Sequence, residues 1–273
     1  NRYWGAQTAN PGAYWNLNKT NVGAASSGVR LYTPDTSRPA FEDQWNKEFS
    51  GRFTWQAAEK HKLTYTHFLN RNCNCLEQVS NVFAPEATSS PLNGWNNFIQ
   101  STWTYPATNR LLFTAGATWG IFPISHNFVA NPPDEVPAGS IFIQDIGTGI
   151  QYNSRQPSHG VTSYGKGQST NVNQRVSVAY VTGTHSLKAG GFFKEGHYYM
   201  ESFIGAPVGE PTSLSYIFRN GQPVSLNQWV TRVRPDLKLF DMGLYAQDQW
   251  TIRKLTLNLG FRYDQFDGKS LET

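Results

Sequence analysis

Alternation of apolar and polar residues on both sides of a short basic turn constrains this chain more than any other feature. The turn is formed by Arg253 and Lys254. Apolar residues share one face of the two arms: Met242, Leu244, Ala246, Trp250, Ile252, Leu255, Leu257, Leu259, Phe261 and Tyr263. Because successive side chains of a strand point to opposite faces, this pattern predicts a β-hairpin with one apolar face.

The opposite face of the same hairpin is polar. It carries Asp241, Gln247, Gln249, Asn258, Arg262 and Asp264. A dry core does not accept such groups, since burying each one without a partner costs about 1–3 kcal/mol. One face therefore suits hydrocarbon and the other suits water. A soluble β-sandwich, whose apolar face packs on a second sheet, is an alternative that fits the alternation equally well.

Three further hairpins have the same character. Alternating residues surround short turns at 59–61, at 106–109 and at 182–184. Pro106 and Asn109 suit a tight turn, and Gly183 can supply the positive φ of a hairpin turn. The predicted strand hairpins therefore lie near residues 44–69, 98–118, 173–194 and 239–266.

The links between these hairpins are far longer than the turns within them. They run over about 70–97, 118–173 and 196–239, whereas ordinary connections have about 4–6 residues. Pro, Gly, Asn and Ser are frequent in them, and 129–133 is typical of ordered coil. Outer-membrane barrels place short turns on the periplasmic side and long loops outside. The sequence therefore predicts an all-β fold, a segment of an antiparallel up-and-down transmembrane β-barrel, as one partial domain over 1–273.

Two charges interrupt the apolar faces, and both fall near the ends of their strands. Asp248 lies close to a short turn, and Lys47 lies at the far end of its strand. At the membrane interfaces a charge costs about 0–1 kcal/mol, against several at mid-height. This dependence on depth favours lipid, so outer-membrane lipid is the first expected partner.

Composition excludes several classes of protein. No window approaches the roughly 18 consecutive apolar residues of a spanning helix, yet 14% of residues are aromatic and the mean hydropathy is −0.50. A barrel reconciles these values, because only alternate residues face lipid and aromatic residues gather at the interfaces. The net charge of +4 is spread along the chain without a dense basic run, which disfavours nucleic-acid binding.

Two cysteines lie close together, at Cys73 and Cys75. No second cysteine pair completes a zinc site. We expect either a local disulfide or two thiols in a surface loop, with a metal site that also uses His67 as the remaining alternative.

Residues 243–250 (GLYAQDQW) and 255–264 (LTLNLGFRYD) resemble the barrel strands of TonB-dependent outer-membrane receptors. The likeness is strongest to the Oar-like members, which contain a carboxypeptidase-regulatory-like domain. Residues 175–190 and 51–56 resemble further strands of the same barrels. The resemblance implies a bacterial outer-membrane location, uptake of a large ligand (a peptide, glycan or chelate), and coupling to a TonB-type energy-coupling complex through a plug.

Other parts of that family are missing from the sequence. We find no TonB box, no plug and no terminal strand ending in an aromatic residue. No initiator Met and no signal-peptide pattern opens the chain at Asn1, so we expect either a removed signal or a fragment. Eight strands left open would expose two edges, which lipid does not tolerate. We therefore expect an internal piece of a longer receptor whose remaining strands come from elsewhere.

No motif in the chain indicates catalysis or a cofactor. Residues 160–167 come within one residue of a phosphate-binding loop, but Gly167 replaces the Ser or Thr that would hold magnesium, so we expect a flexible glycine-rich loop. The six histidines are scattered. We predict no catalytic residue, no metal ligand and no cofactor.

Aromatic residues in the predicted loops are the candidate ligand contacts. They are Tyr3, Trp4, Tyr14, Trp15, Trp95, Tyr198 and Tyr199. Large flat side chains of this kind stack on sugars or peptides at recognition surfaces, or they pack the loops and the interfacial girdle. Two alternatives to the receptor remain: a secreted all-β module that binds carbohydrate or peptide, and a β-rich hydrolase.

Overall fold

The computed structural model describes residues 2–4, 8–18, 30–76, 78–127, 141–157, 164–203, 214–229 and 232–271. The described residues form one short 3-10 helix, Pro85–Ala87, and the following strands: β1 (Arg2–Trp4), β2 (Thr8–Asn16), β3 (Pro34–Ala58), β4 (His61–Leu76), β5 (Ser90–Pro91), β6 (Asn96–Pro106), β7 (Leu111–Asn127), β8 (Phe142–Asp145), β9 (Gln151–Tyr152), β10 (Tyr164–Thr182), β11 (His185–Phe203), β12 (Leu214–Arg219), β13 (Gln222–Gln228), β14 (Arg232–Val233), β15 (Asp236–Ile252) and β16 (Leu255–Ser270). Within this part of the chain, no helix has the length and apolarity needed to cross a membrane.

Eight long strands form a single sheet in chain order. The order is β3-β4-β6-β7-β10-β11-β15-β16, and each strand is antiparallel to its neighbours. β1 and β2 pair with the N-terminal part of β3. No pairing within the described residues joins β16 back to β3, so the sheet is an open, up-and-down wall.

Four short turns connect these strands in pairs, at 59–60, 107–110, 183–184 and 253–254. Gly183 adopts the expected positive φ of 53°, and Arg253 adopts a φ of 52°. In the second turn the Thr108 hydroxyl accepts hydrogen bonds from the backbone N–H groups of Arg110 and Leu111, at 3.1 and 3.0 Å. The sequence prediction of this turn relied on Pro106 and Asn109, whereas the structure shows that the Thr108 side chain stabilises it. The edge of the sheet with these turns is called the turn end, and the opposite edge the loop end.

The register gives the sheet two chemically different faces. Leu244 pairs with Tyr263 and Ala246 with Phe261, and the face that carries these residues is called the outer face. Phe261 is 73% exposed. No second sheet covers this face in the described structure, so it does not form the core of a sandwich, and the antiparallel barrel-wall fold is confirmed.

The strands are longer than the alternation predicted. β10 and β11 have 19 residues each, whereas a tilted strand crosses a bilayer with about 9–11. Near the loop end the outer face becomes polar, with His197 Nε2 lying 2.7 Å from Asp236 Oδ1 and Lys269 Nζ 3.4 Å from Asp267. The apolar part of the outer face is called the apolar band. The wall therefore continues into water beyond the loop-side edge of this band.

The long links build a second, smaller sheet, although the sequence suggested coil for them. Its order is β13-β12-β8-β9, with β8 parallel to β12. Ala84, Ile143, Tyr152 and Phe218 form its buried core. We call this unit the loop cap. Residues 129–133, the segment named as coil, lie outside the described residues.

A tight hairpin turn within the loop cap joins β12 to β13. It consists of Asn220 and Gly221, whose φ angles are 51° and 78°. Asn-Gly is the sequence preferred where both central residues of a two-residue turn have positive φ. Asp145 holds this turn from the neighbouring strand: its Oδ1 accepts the Asn220 N–H at 2.9 Å and its Oδ2 accepts the Gly221 N–H at 2.7 Å.

Candidate functional site: the polar wall and the loop cap

Aromatic side chains gather on the outer face near the turn end. The rings of His61 and Tyr105 stack with centroids 4.3 Å apart, and Tyr105 continues to Phe113 at 6.0 Å. Trp103 Nε1 donates a hydrogen bond of 3.1 Å to His61 Nδ1. Rings with a polar tip suit the boundary between hydrocarbon and headgroups, so this cluster has the character of an interfacial girdle.

Glycines on the inner face, opposite the outer one, leave room for bulky side chains to lie flat against the sheet. A Cβ at Gly190 would lie 2.7 Å from the Tyr245 hydroxyl, and a Cβ at Gly243 would lie 2.2 Å from the Phe192 ring. Tyr245 and Phe192 therefore lie across glycines of neighbouring strands instead of projecting into the space beyond. Bulky side chains on this part of the wall occupy little of that space.

Ion pairs run along the same inner face. Lys194 Nζ lies 3.0 Å from Asp241 Oδ2 and 4.7 Å from the centre of the Phe192 ring. Arg262 binds both carboxylate oxygens of Asp264, with Nε at 2.9 and 2.7 Å, and its guanidinium lies 5.3 Å from the same ring. Charges that sit at this depth must face water or another polar body, since in hydrocarbon an Arg costs about 2–4 kcal/mol.

Amides line the loop-side part of the inner face. Asn96 Nδ2 donates to Asn70 Oδ1 at 3.2 Å, and Asn70 Nδ2 in turn donates to Asn46 Oδ1. This ladder crosses three neighbouring strands, β6, β4 and β3. Its members can still donate and accept further hydrogen bonds, so the inner face offers a surface that polar solutes wet readily.

A family model described as "Outer membrane beta barrel domain" matches residues 8–270. The chain belongs to this outer membrane beta-barrel family. Its place is the bacterial outer membrane, where the outer face of the wall meets lipid and the inner face lines the polar interior. No curated protein sequence matches the chain.

The fold of this outer membrane barrel segment is also similar to a solved transporter structure. The outer membrane transporter YddB from Escherichia coli superposes with a TM-score of 0.51 at 13% identity, over 86% of this chain and 29% of the transporter. At this identity the likeness concerns the fold alone. The segment spans less than a third of the length of that transporter.

Among the side chains that the structure describes, the loop aromatics named from the sequence lie in separate places. Tyr3 and Trp4 belong to β1, but their side chains lie outside the described residues. Trp15 packs against the small buried cluster of Ala13, Ala40 and Val79. The Tyr14 carbonyl accepts a 3.0 Å hydrogen bond from the Tyr32 hydroxyl.

Of the remaining three aromatics, Trp95 lies just before β6, and Tyr198 and Tyr199 lie on the barrel wall. Trp95 is 41% exposed and its ring centre lies 6.0 Å from that of Phe49, near the loop-side edge of the apolar band. Tyr198 and Tyr199 are half-buried neighbours in β11 and therefore point to opposite faces. A ligand role for these residues stays a prediction.

The structure places the two cysteines in a disulfide between Cys73 and Cys75, at the loop-side part of β4. Cys73 is buried, so this pair does not lie in a surface loop. His67 Nε2 lies 2.8 Å from Asn97 Oδ1 on the barrel wall. The glycine-rich segment 160–167 is described only from Tyr164, and that part begins strand β10 instead of a flexible loop.

Two carboxyl groups of the loop cap were not predicted from the sequence. Asp145 accepts N–H hydrogen bonds from Gly147, Thr148, Asn220 and Gly221. Burial acts to raise the pKa of Asp145, but these four hydrogen bonds outweigh it and hold the pKa below the usual value. The Asn-Gly turn was the available signal for this site.

Glu86 has the opposite environment. It is 4% exposed, and neither carboxylate oxygen has a hydrogen-bond partner within the described part of the chain. Burial raises its pKa to about 7, against the lowering influence of its own backbone N–H and the charges of Arg30 and Arg38. An unpaired acidic residue in a surface link gives no sequence signal of such burial.

Proposed function

We propose that this chain forms part of the barrel wall of a TonB-dependent receptor of the Oar-like kind, which takes up a large ligand across the outer membrane. Ligand uptake would require movement of a plug coupled to a TonB-type complex in the inner membrane. This segment contributes the wall, the loop cap and the interior lining. No residue is assigned a catalytic role.

The observation that carries the proposal is the open wall. Eight sequential strands leave one edge along β16 and another along the turn-side part of β3, within the described residues. Unpaired backbone groups cost several kcal/mol each in hydrocarbon, so further strands must cover both edges. A barrel larger than these eight strands has an interior wide enough for a plug, and the likeness to a transporter three times as long supports this reading.

The secreted binding module and the hydrolase lack such support. Both need the apolar face as a core, but Phe53, Leu259 and Phe261 are 61%, 58% and 73% exposed. A soluble protein rarely exposes a continuous apolar surface of this kind. We therefore expect the complete protein to require detergent during purification.

The first test of the proposed TonB-dependent receptor is the reading frame on both sides of the segment. A plug domain upstream and further alternating strands downstream are expected. Growth on a panel of glycans, peptides and iron chelates as sole nutrient sources tests the activity: deleting the receptor gene and deleting the TonB gene should abolish growth on the same nutrient. A reading frame with no plug would contradict the TonB-dependent mechanism and leave the barrel wall in place.

A further inference from the structure

We infer that the inner face of this wall carries a subsite for an anionic group, a carboxylate or a phosphate, centred on Arg175. The inference builds on the proposed function, because it treats the inner face as the lining of a transport pathway. Its chemistry follows from the charges and donors that the register brings together.

A cavity of about 280 Å³ opens at mid-height on the inner face, between β6, β7, β10 and β11. The side chains that matter for its chemistry are Gln100, Thr118, Asn173, Arg175, Phe192 and Lys194. Pairing sets this arrangement: Gln100 lies opposite Thr118, Thr118 opposite Asn173, and Asn173 opposite Lys194. One row of residues across four strands thus lines the cavity.

Arg175 lies on the adjacent row, opposite Gly116 on one side and Phe192 on the other. A Cβ at Gly116 would lie 3.0 Å from Arg175 Nε. The guanidinium therefore lies along the wall over that glycine, at the border of the cavity. Any larger residue at position 116 would push it away from this place.

Unlike the other two cations near the cavity, Arg175 has no carboxylate partner among the described residues. Lys194 is paired with Asp241 and Arg262 with Asp264, whereas Arg175 has no ion pair among the described residues and is exposed. Arg52, Lys62 and Lys188 also face inward and lack an ion pair in the described structure. The wall thus carries positive charge that its own inner-face partners do not balance.

The groups around Arg175 favour an anion over a cation or an apolar ligand. A guanidinium presents N–H donors in a planar fork that matches carboxylate and phosphate oxygens. The amide N–H₂ groups of Gln100 and Asn173 and the hydroxyl of Thr118 can donate to the same ligand. Lys194 lines the other border of the cavity, but Asp241 already pairs with its charge, so Arg175 is the cation on which the subsite is centred.

Two sources could supply the anion. It belongs either to a free ligand that passes along the wall or to an acidic side chain of the receptor that occupies the barrel interior. The chemistry at Arg175 is the same in both cases, and the two sources differ in whether the site is empty in the resting receptor.

Thermal unfolding of the complete receptor in detergent, titrated with inorganic phosphate at constant ionic strength, tests the inference. For a site open to free ligand we expect a saturable rise in Tm, because phosphate binds only the folded protein. Arg175→Gln should weaken the apparent affinity at least about tenfold, which is the loss of one charge-assisted contact. Arg175→Lys should restore part of it, and Arg110→Gln, the same change at a short turn, should leave it intact.

The other source gives a different result. If the receptor's own acidic side chain fills the site, wild type shows no response to phosphate, and Arg175→Gln lowers Tm without phosphate while Arg110→Gln does not. The subsite is overturned if Arg175→Gln binds phosphate like wild type, or if it changes neither the phosphate response nor the basal Tm. Because no readout involves uptake, failure here is separate from failure of TonB-dependent transport.

Discussion

The carboxylate of Asp248 lies 2.6 Å from Nδ1 of His185, on the neighbouring strand of the outer face. The His185 ring also stacks on Trp250, with centroids 5.3 Å apart. The acidic residue that interrupts the apolar pattern is therefore paired with a polar neighbour beside an aromatic ring. Such a pair near the turn end can reach the headgroup region, which explains how the apolar face accommodates it.

Removing His185 should destabilise the receptor, because Asp248 then has no partner for its charge. With His185→Leu, Asp248 loses its partner at the edge of the hydrocarbon, and we expect the complete receptor to lose about 1–2 kcal/mol of unfolding free energy. Asp248→Asn alone should cost less, and adding it to His185→Leu should recover part of the loss. Urea unfolding in lipid vesicles measures the unfolding free energy of wild type, the two single variants and the double variant. Strictly additive losses would mean that the two residues do not stabilise each other.

The assignment of the two faces predicts opposite effects at adjacent positions. Ala246→Arg places a guanidinium in lipid at mid-height and should cost about 2–4 kcal/mol. Gln247→Arg, one residue later, places the same group on the inner face and should change stability by less than about 0.5 kcal/mol.

The unfolding free energy of the two variants in vesicles is the measurement. Both carry the same added charge on β15, so their difference reports the face alone. Equal losses at both positions would contradict the assignment of the outer face to lipid.

The sequence predicted the wall because the wall obeys a local rule. Residues such as Leu244 and Phe261 repeat with period two, and the turns at Gly183 and Arg253 interrupt that period within a few residues. The loop cap follows no such rule. β8 and β9 have 4 and 2 residues, too few to show alternation, and β12, which pairs with β8, lies far away in the chain.

The same limit applies to the inner-face charges. Polar residues on that face were evident, but which cation meets which carboxylate depends on register between strands. Lys194 on β11 pairs with Asp241 on β15. The length of the long link between these strands gives no information on this pairing. The unpaired state of Arg175 is visible only once the register is known.

Asp145 should be essential to the order of the loop cap. Asp145→Asn replaces one of the two carboxylate oxygens with an N–H₂ group. That group then faces either the N–H of Gly221 or the three N–H groups of Asn220, Gly147 and Thr148, and it cannot accept a hydrogen bond from them. We expect a loss of about 2–3 kcal/mol in cap stability, because charge-assisted hydrogen bonds to the buried carboxylate of Asp145 are lost.

Hydrogen exchange of the Asn220 and Gly221 amides checks this prediction, with Asp267→Asn as the exposed control. The pKa of Asp145 is lowered in the fold, so its stabilisation is present above its ordinary pKa and is lost as pH falls through the lowered value. Unchanged exchange at neutral pH would show that the turn holds without this carboxylate.

Glu86 should make the loop cap less stable as pH rises toward neutrality. Its pKa in the fold is about 7, above the ordinary value of 4.5. The folded cap therefore keeps a proton that the unfolded segment releases. Its stabilising contribution is fully present below about pH 4.5, falls as pH rises through about 7, and is constant above that.

Exchange of the Ala84 and Ala87 amides, whose hydrogen bonds go to Gln151 and Ala84, reports this stability once corrected for intrinsic rates. Between pH 4.5 and 8 we expect wild-type protection to fall by roughly 3 kcal/mol. Glu86→Gln imitates the protonated form, so it should be more protected than wild type at pH 8 and nearly independent of pH. Glu195→Gln, the same change at an exposed site, should behave like wild type. If the pH dependence persisted in Glu86→Gln, it would have to come from another group in the cap.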